Sequence, residues 1–550
     1  KTREGEQEIS APWKGFCNYI NEEYELRKNN KNIKVLEALL VPVLCATCNG
    51  EKLKPERQLF TLEGLSIAGL SKLSLVAASR FIEKILENSN TPYFKIAQAA
   101  LKPALRLIHS LLDLGLGYIS VDRKLKTLSG GELQRVNLAG QISANLSGVT
   151  YVLDEPSIGL DKGQNKQLIL LLKQLVDNGN TVVLIEHSGD FIAAADYVVE
   201  LGPGAGAKGG ELIFQGSTAH LKKQPQLRTA QLLAQVKAVK PVAVEMDSSE
   251  FGVKGASLHN LNGINLSLKA KRINCISGVS GSGKSTLMKA VLWPSFVKGK
   301  AVHAKNVFGN SLFDQVVYLD QQQPIASRLD SPSTYLGFLD RVAAKLAKLP
   351  VAKATGLKKN DFVYSHKNGA CPMCKGYGAT KTEMDFMSPI WTVCETCNGG
   401  RYKAEVKTVL VGEWAVDELL HKTFSEIQAD TFFKQETELL EWLLLLGLGH
   451  LKLGQPLQSL STGEFQRLRL VKALIQGGGS TLFLFDEPGT GLHYDDLLQL
   501  IKAFNRLINE GHTVVYIEHH QELIQAAHEL RVLGPGSGAE GGKLVKAVRQ

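Results

Sequence analysis

The chain has 550 residues, of which 44% are apolar, and its net charge is +9. This length predicts about three or four domains, and no apolar run approaches the roughly 18 residues of a membrane span, which excludes insertion into a membrane. The charge permits contact with nucleic acid without requiring it. Six of the eight cysteines stand in C-x-x-C pairs, which indicates metal in a reducing, cytoplasmic compartment rather than disulfides.

The first cysteine pair, Cys45 and Cys48, has the form of half a zinc site. Counting back by the spacing found later in the chain leads to Glu22 and Glu25 rather than to cysteines. The partners of this pair would therefore come from elsewhere, most simply from upstream of Lys1. Residues 55–113 alternate short apolar and charged segments, which predicts a mainly helical connecting region.

Ser129, Gly130, Gly131 and Glu132 precede a segment with helical apolar spacing. A serine followed three residues later by Glu is a helix capping box. The capping box does not explain the paired glycines, which lower helix stability and expose backbone N–H groups. An anion bound at this helix start would explain them.

Two apolar strand-like runs end in Asp-Glu, and two others end in Glu-His. A core strand that ends in a carboxylate is common, and a single histidine is more often structural. Near a phosphate-binding loop, however, the Asp is expected to hold Mg²⁺ and the Glu to orient the attacking water. The residues concerned are Asp154, Glu155 and His187 in the first half, and Asp486, Glu487 and His519 in the second.

The segment from Gly278 to Thr286 satisfies G-x-x-x-x-G-K-[ST], between a predicted strand and a predicted helix. In this setting backbone N–H groups surround phosphate, Lys284 reaches the β- and γ-phosphates, and Ser285 holds Mg²⁺. The sequence therefore predicts an ATP–Mg²⁺ site. Its contacts would lie along Gly278, Ser280, Gly281, Ser282, Gly283, Lys284, Ser285 and Thr286.

Gln321 follows the next strand-like run, Tyr318-Leu319-Asp320. An amide at this position is a candidate ligand of the metal and of the attacking water. The alternative is an ordinary solvated or buried glutamine.

Cys371, Cys374, Cys394 and Cys397 follow C-x₂-C-x₁₉-C-x₂-C, a specific pattern for a closed, structural zinc site. We expect a zinc module over about residues 365–402, followed by a signature subdomain over about 403–475. Lysines within and just before the module, together with the apolar and aromatic residues of its loop, suit a nucleic-acid surface. A packed hairpin with a solvated lysine face is the alternative. The residues are Lys353, Lys358, Lys359, Lys367, Lys375, Lys381, Met384, Phe386, Met387, Ile390 and Trp391.

Five segments recur at one constant offset of 332 positions (486 − 154). They are Leu114–Tyr118 with Leu446–His450, Leu128–Glu132 with Leu460–Glu464, Asp154–Pro156 with Asp486–Pro488, Glu186–His187 with Glu518–His519, and Leu201–Gly204 with Leu533–Gly536. Such regularity predicts an α/β protein with two tandem copies of one P-loop ATPase core.

The sequence contains only the later part of the first copy, because the counterpart of Gly278 would precede Lys1. We therefore expect a trimmed or truncated chain. The domains are predicted at 1–244, the later part of the first core, and at 245–550, the complete second core.

The S-G-G-E-x-Q-R run at Ser129, the Asp-Glu-Pro runs and the late histidines resemble the ABC ATPase class. Tandem cores with inserted zinc modules, Leu153–Leu160, Gly278–Thr286, Leu453–Pro456 and the repeated Leu-Gly-Pro-Gly resemble the UvrA family. This resemblance covers nearly the whole chain. The chain differs from the family pattern in three places. Thr462 replaces a signature glycine, and Gly489 stands where the family usually has Thr. The segment after Gln321 is also shorter than in the family. These differences suggest a divergent, second-class member.

The resemblance implies that each signature caps the nucleotide of the other core. One composite site would join Gly278–Thr286, Gln321, Asp486, Glu487 and His519 to Ser129, Gly130 and Gly131. The other would join Asp154, Glu155 and His187 to Ser461, Thr462 and Gly463, with a phosphate loop that is not in this sequence.

The resemblance further implies an ATPase without nuclease activity, using ATP, Mg²⁺ and Zn²⁺. Such a protein binds double-stranded DNA in damage recognition or drug tolerance, as a homodimer and with a UvrB-type partner. The competing hypothesis is the soluble ATPase subunit of an exporter, which the zinc modules disfavour. A chaperone-type zinc module would leave both ATPase copies unexplained.

Overall fold

The computed structural model describes residues 15–27, 43–87, 94–128, 130–143, 146–157, 160, 162–203, 209–234, 249–320, 327–382, 390–492, 494–536 and 538–549. These residues fall into two compact units, one of residues 1–73 with 120–122 and one of 74–119 with 123–550. In the described residues no helix combines the length and the apolarity that crossing a bilayer demands.

The smaller unit contains helix α1 (Phe16–Arg27), the two-residue strands β1 (Thr61–Leu62) and β2 (Leu65–Ser66), and helix α2 (Ile67–Lys72). Ser66 caps α2, since its side chain accepts a hydrogen bond from the Gly69 amide. The Cys45 and Cys48 pair forms a tight turn in which the Asn49 amide donates to the Cys45 carbonyl at 2.7 Å.

The larger unit begins with the first ATPase copy. Its helices are α3 (Leu75–Glu87), α4 (Phe94–Asp113), α5 (Gly130–Ser143), α6 (Lys162–Asp177), α7 (Gly189–Ala194), α8 (Thr218–Leu221) and α9 (Arg228–Leu233). Its strands are β3 (Thr150–Asp154), β4 (Thr181–Ile185), β5 (Tyr197–Gly202) and β6 (Glu211–Ser217). Strands β3 and β4 are parallel, whereas β5 and β6 are antiparallel. The predicted helical region before the signature is confirmed by α3 and α4.

The second copy starts with an antiparallel sheet of β7 (Glu250–Leu258), β8 (Leu261–Lys269) and β10 (Asn306–Phe308). Its main sheet has six strands, in the order β11 (Gln315–Leu319), β16 (Thr481–Asp486), β17 (Thr513–Ile517), β9 (Ile273–Gly278), β18 (Glu529–Gly534) and β19 (Lys543–Arg549). All neighbours are parallel except β18 and β19. Strands β16 and β17 are buried along their whole length, as expected for parallel strands covered on both faces.

Helices and short hairpins complete this copy. The helices are α10 (Trp293–Lys298), α11 (Pro332–Tyr335), α12 (Phe338–Leu346), α13 (Pro350–Ala354), α14 (Val416–Leu419), α15 (Phe424–Ile427), α16 (Thr437–Leu445), α17 (Thr462–Leu474), α18 (Tyr494–Asn509) and α19 (Gln521–Gln525). The hairpins pair β12 (Ala379–Thr382) with β13 (Ile390–Val393), and β14 (Leu410–Val411) with β15 (Trp414–Ala415). The helix predicted after the phosphate loop begins as a π-helical turn, Thr286–Leu292, before α10.

The repeat extends further than the motifs showed. The passage after Gly204 has a linker-like composition, yet it contains β6, α8 and α9. Strand β6 lies 332 positions before β19. The glycine pair Gly209-Gly210 lies at the same offset from Gly541-Gly542, and this repeat is the sequence signal that predicts the strand.

Equivalent strands are buried differently in the two copies. Val183 is 47% exposed, whereas its equivalent Val515 is fully buried. Val515 packs with the π-helical turn and the β7–β8 sheet in one apolar cluster. In the described part of the first copy no such layer covers one face of β3 and β4, so Val152, Val183 and Ile185 are exposed, whereas Tyr151 and its neighbours on the other face pack into an apolar cluster.

Candidate nucleotide site and metal centre

The phosphate loop leaves β9 at Gly278 and enters the π-helical turn at Thr286. Gly278 has a φ of 142°, and a side chain there would meet the Leu533 carbonyl oxygen at 2.0 Å. Only glycine therefore allows β9 to turn beside β18. The Lys284 ammonium donates to the Gly278 and Val279 carbonyls, at 2.9 Å each. The lysine thus lies over the loop, where a phosphate would be bound.

Asp486 ends β16 next to this loop. The Ser285 hydroxyl donates to its carboxylate at 3.3 Å, which places two oxygen ligands suited to Mg²⁺ side by side. Burial, and then the charge of Glu487, raise the pKa of Asp486 to about 7. Burial therefore makes this carboxylate easier to protonate than an exposed aspartate.

Glu487 and His519 form a pair beside Asp486, with 3.4 Å between the imidazole Nε2 and the carboxylate. Glu155 and His187 form the same pair in the first copy at 3.2 Å, and the hydrogen bond to Glu155 raises the pKa of His187. Both glutamates have left-handed φ, 51° and 45°. Strained backbone in two equivalent acidic residues is typical of functional positions.

The glutamate before each histidine holds the turn after Asp-Glu-Pro. Glu518 accepts a hydrogen bond from the Gly489 amide at 2.6 Å, and Glu186 accepts from the Ser157 amide and hydroxyl at 2.9 Å each. A side chain at Gly489 would lie 2.7 Å from the Glu518 carboxylate. Glycine at this position therefore avoids crowding the Glu518 carboxylate.

The first copy reaches across to the phosphate loop of the second. A side chain at Gly281 would lie 2.9 Å from the Tyr118 ring, so this ring covers the loop. The Arg135 guanidinium donates to the Ser280 hydroxyl at 3.4 Å, and the Tyr118 hydroxyl donates to Glu132. Tyr118 and Arg135 belong to the signature region of the first copy, whose helix α5 starts at Gly130. Ser129 and Gln321 lie outside the described residues.

The opposite signature lies at the start of α17, where Ser461 and Glu464 form a complete capping box. Gly491 joins it to the first copy, because a side chain there would lie 3.4 Å from both Glu155 and Thr462. Glu155, His187, Glu487 and His519 also line one cavity of about 440 Å³ between the copies.

Four thiols form the candidate metal centre, and each is buried. The Sγ atoms of Cys371 and Cys394 are 4.0 Å apart, and those of Cys374 and Cys397 are 3.6 Å apart. Four ligands about 2.3 Å from a tetrahedral zinc ion stand about 3.8 Å apart, so the thiols fit Zn²⁺. Among the residues the structure describes, no other group of three or more His, Cys, Asp or Glu side chains converges in this way. Cys45 and Cys48 have no such group around them in the described part of the chain, and their role as half of a zinc site stays a prediction.

The lysines within the zinc module and just before it are exposed. Lys353, Lys358, Lys359, Lys367, Lys375 and Lys381 are all at the surface. Trp391 on β13 lies under the Arg328 guanidinium at 4.3 Å and beside Tyr377 at 5.7 Å, so it is part of the packed hairpin. Met384, Phe386 and Met387 lie outside the described residues.

Sequence reasoning missed three residues that shape the nucleotide site. Tyr118 and Arg135 contact the phosphate loop, and the Asn260 amide holds it by donating to the Gly281 carbonyl at 3.1 Å. Tyr118 ends one of the recurring segments and Arg135 ends the S-G-G-E-x-Q-R run, whereas no motif marks Asn260, and only the fold brings the three to the loop.

Comparison with known proteins gives relatives along almost the whole chain, although no protein-family model matches it. The UvrABC system protein A of Aquifex aeolicus is 37% identical over 557 residues, which cover 98% of this chain and 59% of that protein. The UvrABC system protein A of Thermus thermophilus is 36% identical over 552 residues, covering 98% and 58%. The chain thus spans less than two thirds of the length of these curated relatives.

Among solved structures, UvrA2 from Deinococcus radiodurans superposes with a TM-score of 0.86 and 32% sequence identity, covering 96% of this chain and 67% of that one. The two α/β copies, the phosphate loop beside the opposite signature region, and the four-thiol module occur together in a chain with these relatives. The chain therefore belongs to the UvrA family, with two tandem ABC-type ATPase cores.

Proposed function

We propose that this chain is the tandem ATPase portion of a UvrA-type protein, which binds double-stranded DNA and uses ATP to sense or hand over damage. The observation that carries the proposal is the phosphate loop at Gly278 lying against Tyr118 and Arg135 of the other copy. In such an arrangement bound ATP contacts both copies and holds them together, and hydrolysis releases them. The nucleotide state therefore sets how closely the two cores are held.

The residues of the site take the following roles in the proposal. Gly278–Thr286 binds the phosphates, Lys284 neutralises them, and Ser285 and Asp486 hold Mg²⁺, with Gln321 as a further ligand. Glu487 accepts the proton of the attacking water and His519 orients it. Gly130 and Gly131 open the start of α5 for the γ-phosphate, with Ser129 beside them.

The second composite site is proposed from the equivalent residues. Asp154, Glu155 and His187 would act with Ser461, Thr462 and Gly463. The boundary between the copies is proposed near residue 244, within the undescribed segment between α9 and β7. Zn²⁺ would stabilise the module at Cys371, Cys374, Cys394 and Cys397, and we infer a cytoplasmic protein because these thiolates must stay reduced.

DNA is proposed as the partner because two relatives are named as components of the UvrABC system, and because the zinc module exposes a set of lysines. A homodimer and a UvrB-type partner are proposed on the same family grounds. Lysines that neutralise phosphates release counterions, so binding weakens steeply with salt. Such contacts are indifferent to base sequence.

The test is to measure binding of duplex DNA by the 550-residue chain, with fluorescence anisotropy as the readout, at several salt concentrations. Changing Lys358, Lys359 and Lys367 to Ala should weaken binding and flatten the salt slope by up to about 0.9 log units per lost contact. The control replaces Lys173, Lys222 and Lys223, which are exposed on the first copy and change the net charge equally. Equal losses in both triple variants would place the DNA surface away from the zinc module.

A further inference from the structure

The two copies use one equivalent arginine in different ways. Arg135 on α5 and Arg467 on α17 are 332 positions apart, and they are 2% and 7% exposed. Arg135 donates to the Leu114 carbonyl at 3.1 Å, and Arg467 donates to the equivalent Leu446 carbonyl at 3.3 Å. This anchor to the preceding helix end is the same in both copies.

The second contact of each arginine differs. Arg467 donates to the Asp496 carboxylate within its own copy. Arg135 donates to the Ser280 hydroxyl in the phosphate loop of the other copy. The residue equivalent to Asp496 in the first copy is Gln164, which carries no charge, so the first copy has no carboxylate at the position that holds Arg467.

Other polar groups of the first copy lie at the same loop as Arg135. Tyr118 lies against Gly281, next to Ser280, and donates its hydroxyl to Glu132. Burial and the Glu132 charge raise the pKa of Tyr118 well above its usual value. The phenol therefore remains a neutral donor. Tyr118, Glu132 and Arg135 together form one polar cluster, which belongs to the first copy and lies at this loop.

We propose that Arg135 is a positioning residue that acts across the copies on the nucleotide bound at Gly278–Thr286, whereas Asp496 confines Arg467 to its own copy. This inference rests on the proposed ATP site. A guanidinium stays protonated at all physiological pH values and is weakly hydrated, so it suits a buried position near phosphate. Within hydrogen-bonding distance of Ser280 it holds the loop in shape and adds positive potential where the triphosphate binds.

The sequence offers a matched test, because the G-x-x-x-x-G-K-[ST] pattern occurs once in the 550 residues and binding of fluorescent mant-ATP reports on this loop. Gln164→Asp adds the carboxylate that holds Arg467, and Gln164→Asn has the same shape without the charge. We expect Gln164→Asp to weaken mant-ATP binding about tenfold relative to Gln164→Asn, the effect of losing one charge-assisted hydrogen bond. Arg135→Lys should weaken binding similarly, since a lysine lacks the fork that spans Leu114 and Ser280.

Two controls separate this role from a structural one. Asp496→Asn alters the equivalent pair in the other copy and should leave mant-ATP affinity unchanged. Thermal unfolding without nucleotide should give the same midpoint for Gln164→Asp and Gln164→Asn. If those two variants bind mant-ATP equally well, Arg135 has no role in the site and the inference is wrong. If Lys284→Ala binds mant-ATP like the unmodified chain, the proposed ATP site itself is wrong.

Discussion

At the scale of single residues, the chemistry of the candidate site depends on a few side chains at strand ends. Asp486 is the last residue of β16, which is buried along its whole length, so its carboxylate is poorly solvated. The next residue, Glu487, is turned by its left-handed backbone toward His519. Backbone geometry thus separates the carboxylate that we propose as a Mg²⁺ ligand from the one that we propose to act on water.

Lys284→Ala should remove most ATP affinity, because the loop loses the ammonium that lies over its carbonyls and would meet the phosphates. A mant-ATP titration of the 550-residue chain measures this. Lys289→Ala is the matched control, since Lys289 follows in the same segment but pairs with Asp320 at 3.4 Å. Equal affinity in Lys284→Ala and the control would remove the loop from the binding site.

Glu487→Gln should keep ATP bound and slow hydrolysis by about 100-fold or more, because an amide cannot accept the proton of the attacking water. Single-turnover hydrolysis with radiolabelled ATP separates this step from binding. Glu155→Gln is the matched control in the first copy and should leave the rate at the Gly278 loop largely intact. A normal rate in Glu487→Gln would make this residue structural.

At the scale of elements, the helix starts and hairpins position the site. Glu464 completes the capping box of α17 and accepts a hydrogen bond from His450 at 2.7 Å. The His450 hydrogen bond lowers the pKa of Glu464 to about 2, from an ordinary 4.5. The equivalent pair in the first copy is Tyr118 with Glu132, so a neutral phenol there replaces a titratable ring.

This pair gives the second copy an acid-dependent contribution to stability. A carboxyl whose pKa is lowered by folding stabilises the folded state above its unfolded pKa, and the contribution is lost as the pH falls through its folded pKa. The stability difference between the unmodified chain and His450→Ala should therefore be full above pH 4.5 and shrink toward pH 2. Urea unfolding at a series of pH values measures it. A difference that does not change with pH would show that His450 only fills space.

The zinc module should unfold without its metal, since structural zinc contributes roughly 10 kcal/mol or more to such modules. Protein purified without chelator should contain one firmly bound zinc, and Cys374→Ser should lose it together with protection of β12 and β13 from hydrogen exchange. Cys48→Ser is the matched control, because Cys45 and Cys48 lack further ligands among the described residues. Zinc loss in Cys48→Ser, but not in Cys374→Ser, would reverse the assignment.

Much of this architecture follows from local pattern. The glycine loop after β9, the strand-end acids and the cysteine spacing each depend on neighbours in sequence, and the structure places them as expected. Strand β6 and helices α8 and α9 could not be predicted from local composition, because their segment is rich in Gly, Lys and Gln and resembles a linker. Two other features depend on which elements pack against each other, and the spacing of residues in the sequence does not show this. They are the surface position of Val183 and the contact of Arg135 with Ser280.

At the scale of the whole molecule, the proposed nucleotide site is shared by both copies. The phosphate loop, the proposed Mg²⁺ ligands and Glu487 belong to the second copy, whereas Tyr118, Arg135 and the start of α5 belong to the first. Thr462 on α17 is the equivalent of Gly130, and it brings a side chain to the signature that faces Glu155. The two signatures therefore differ in their space for phosphate.

Hydrolysis of ATP by signature variants tests this shared site most directly. Gly130→Asp places a carboxylate at the start of α5, where it would repel the γ-phosphate and block the exposed N–H groups. We expect this variant to lose hydrolysis while still binding mant-ATP, and the equivalent Thr462→Asp to hydrolyse ATP at the rate of the unmodified chain. Hydrolysis that survives Gly130→Asp and is lost in Thr462→Asp would contradict the assignment of the Gly278 loop to the signature of the first copy.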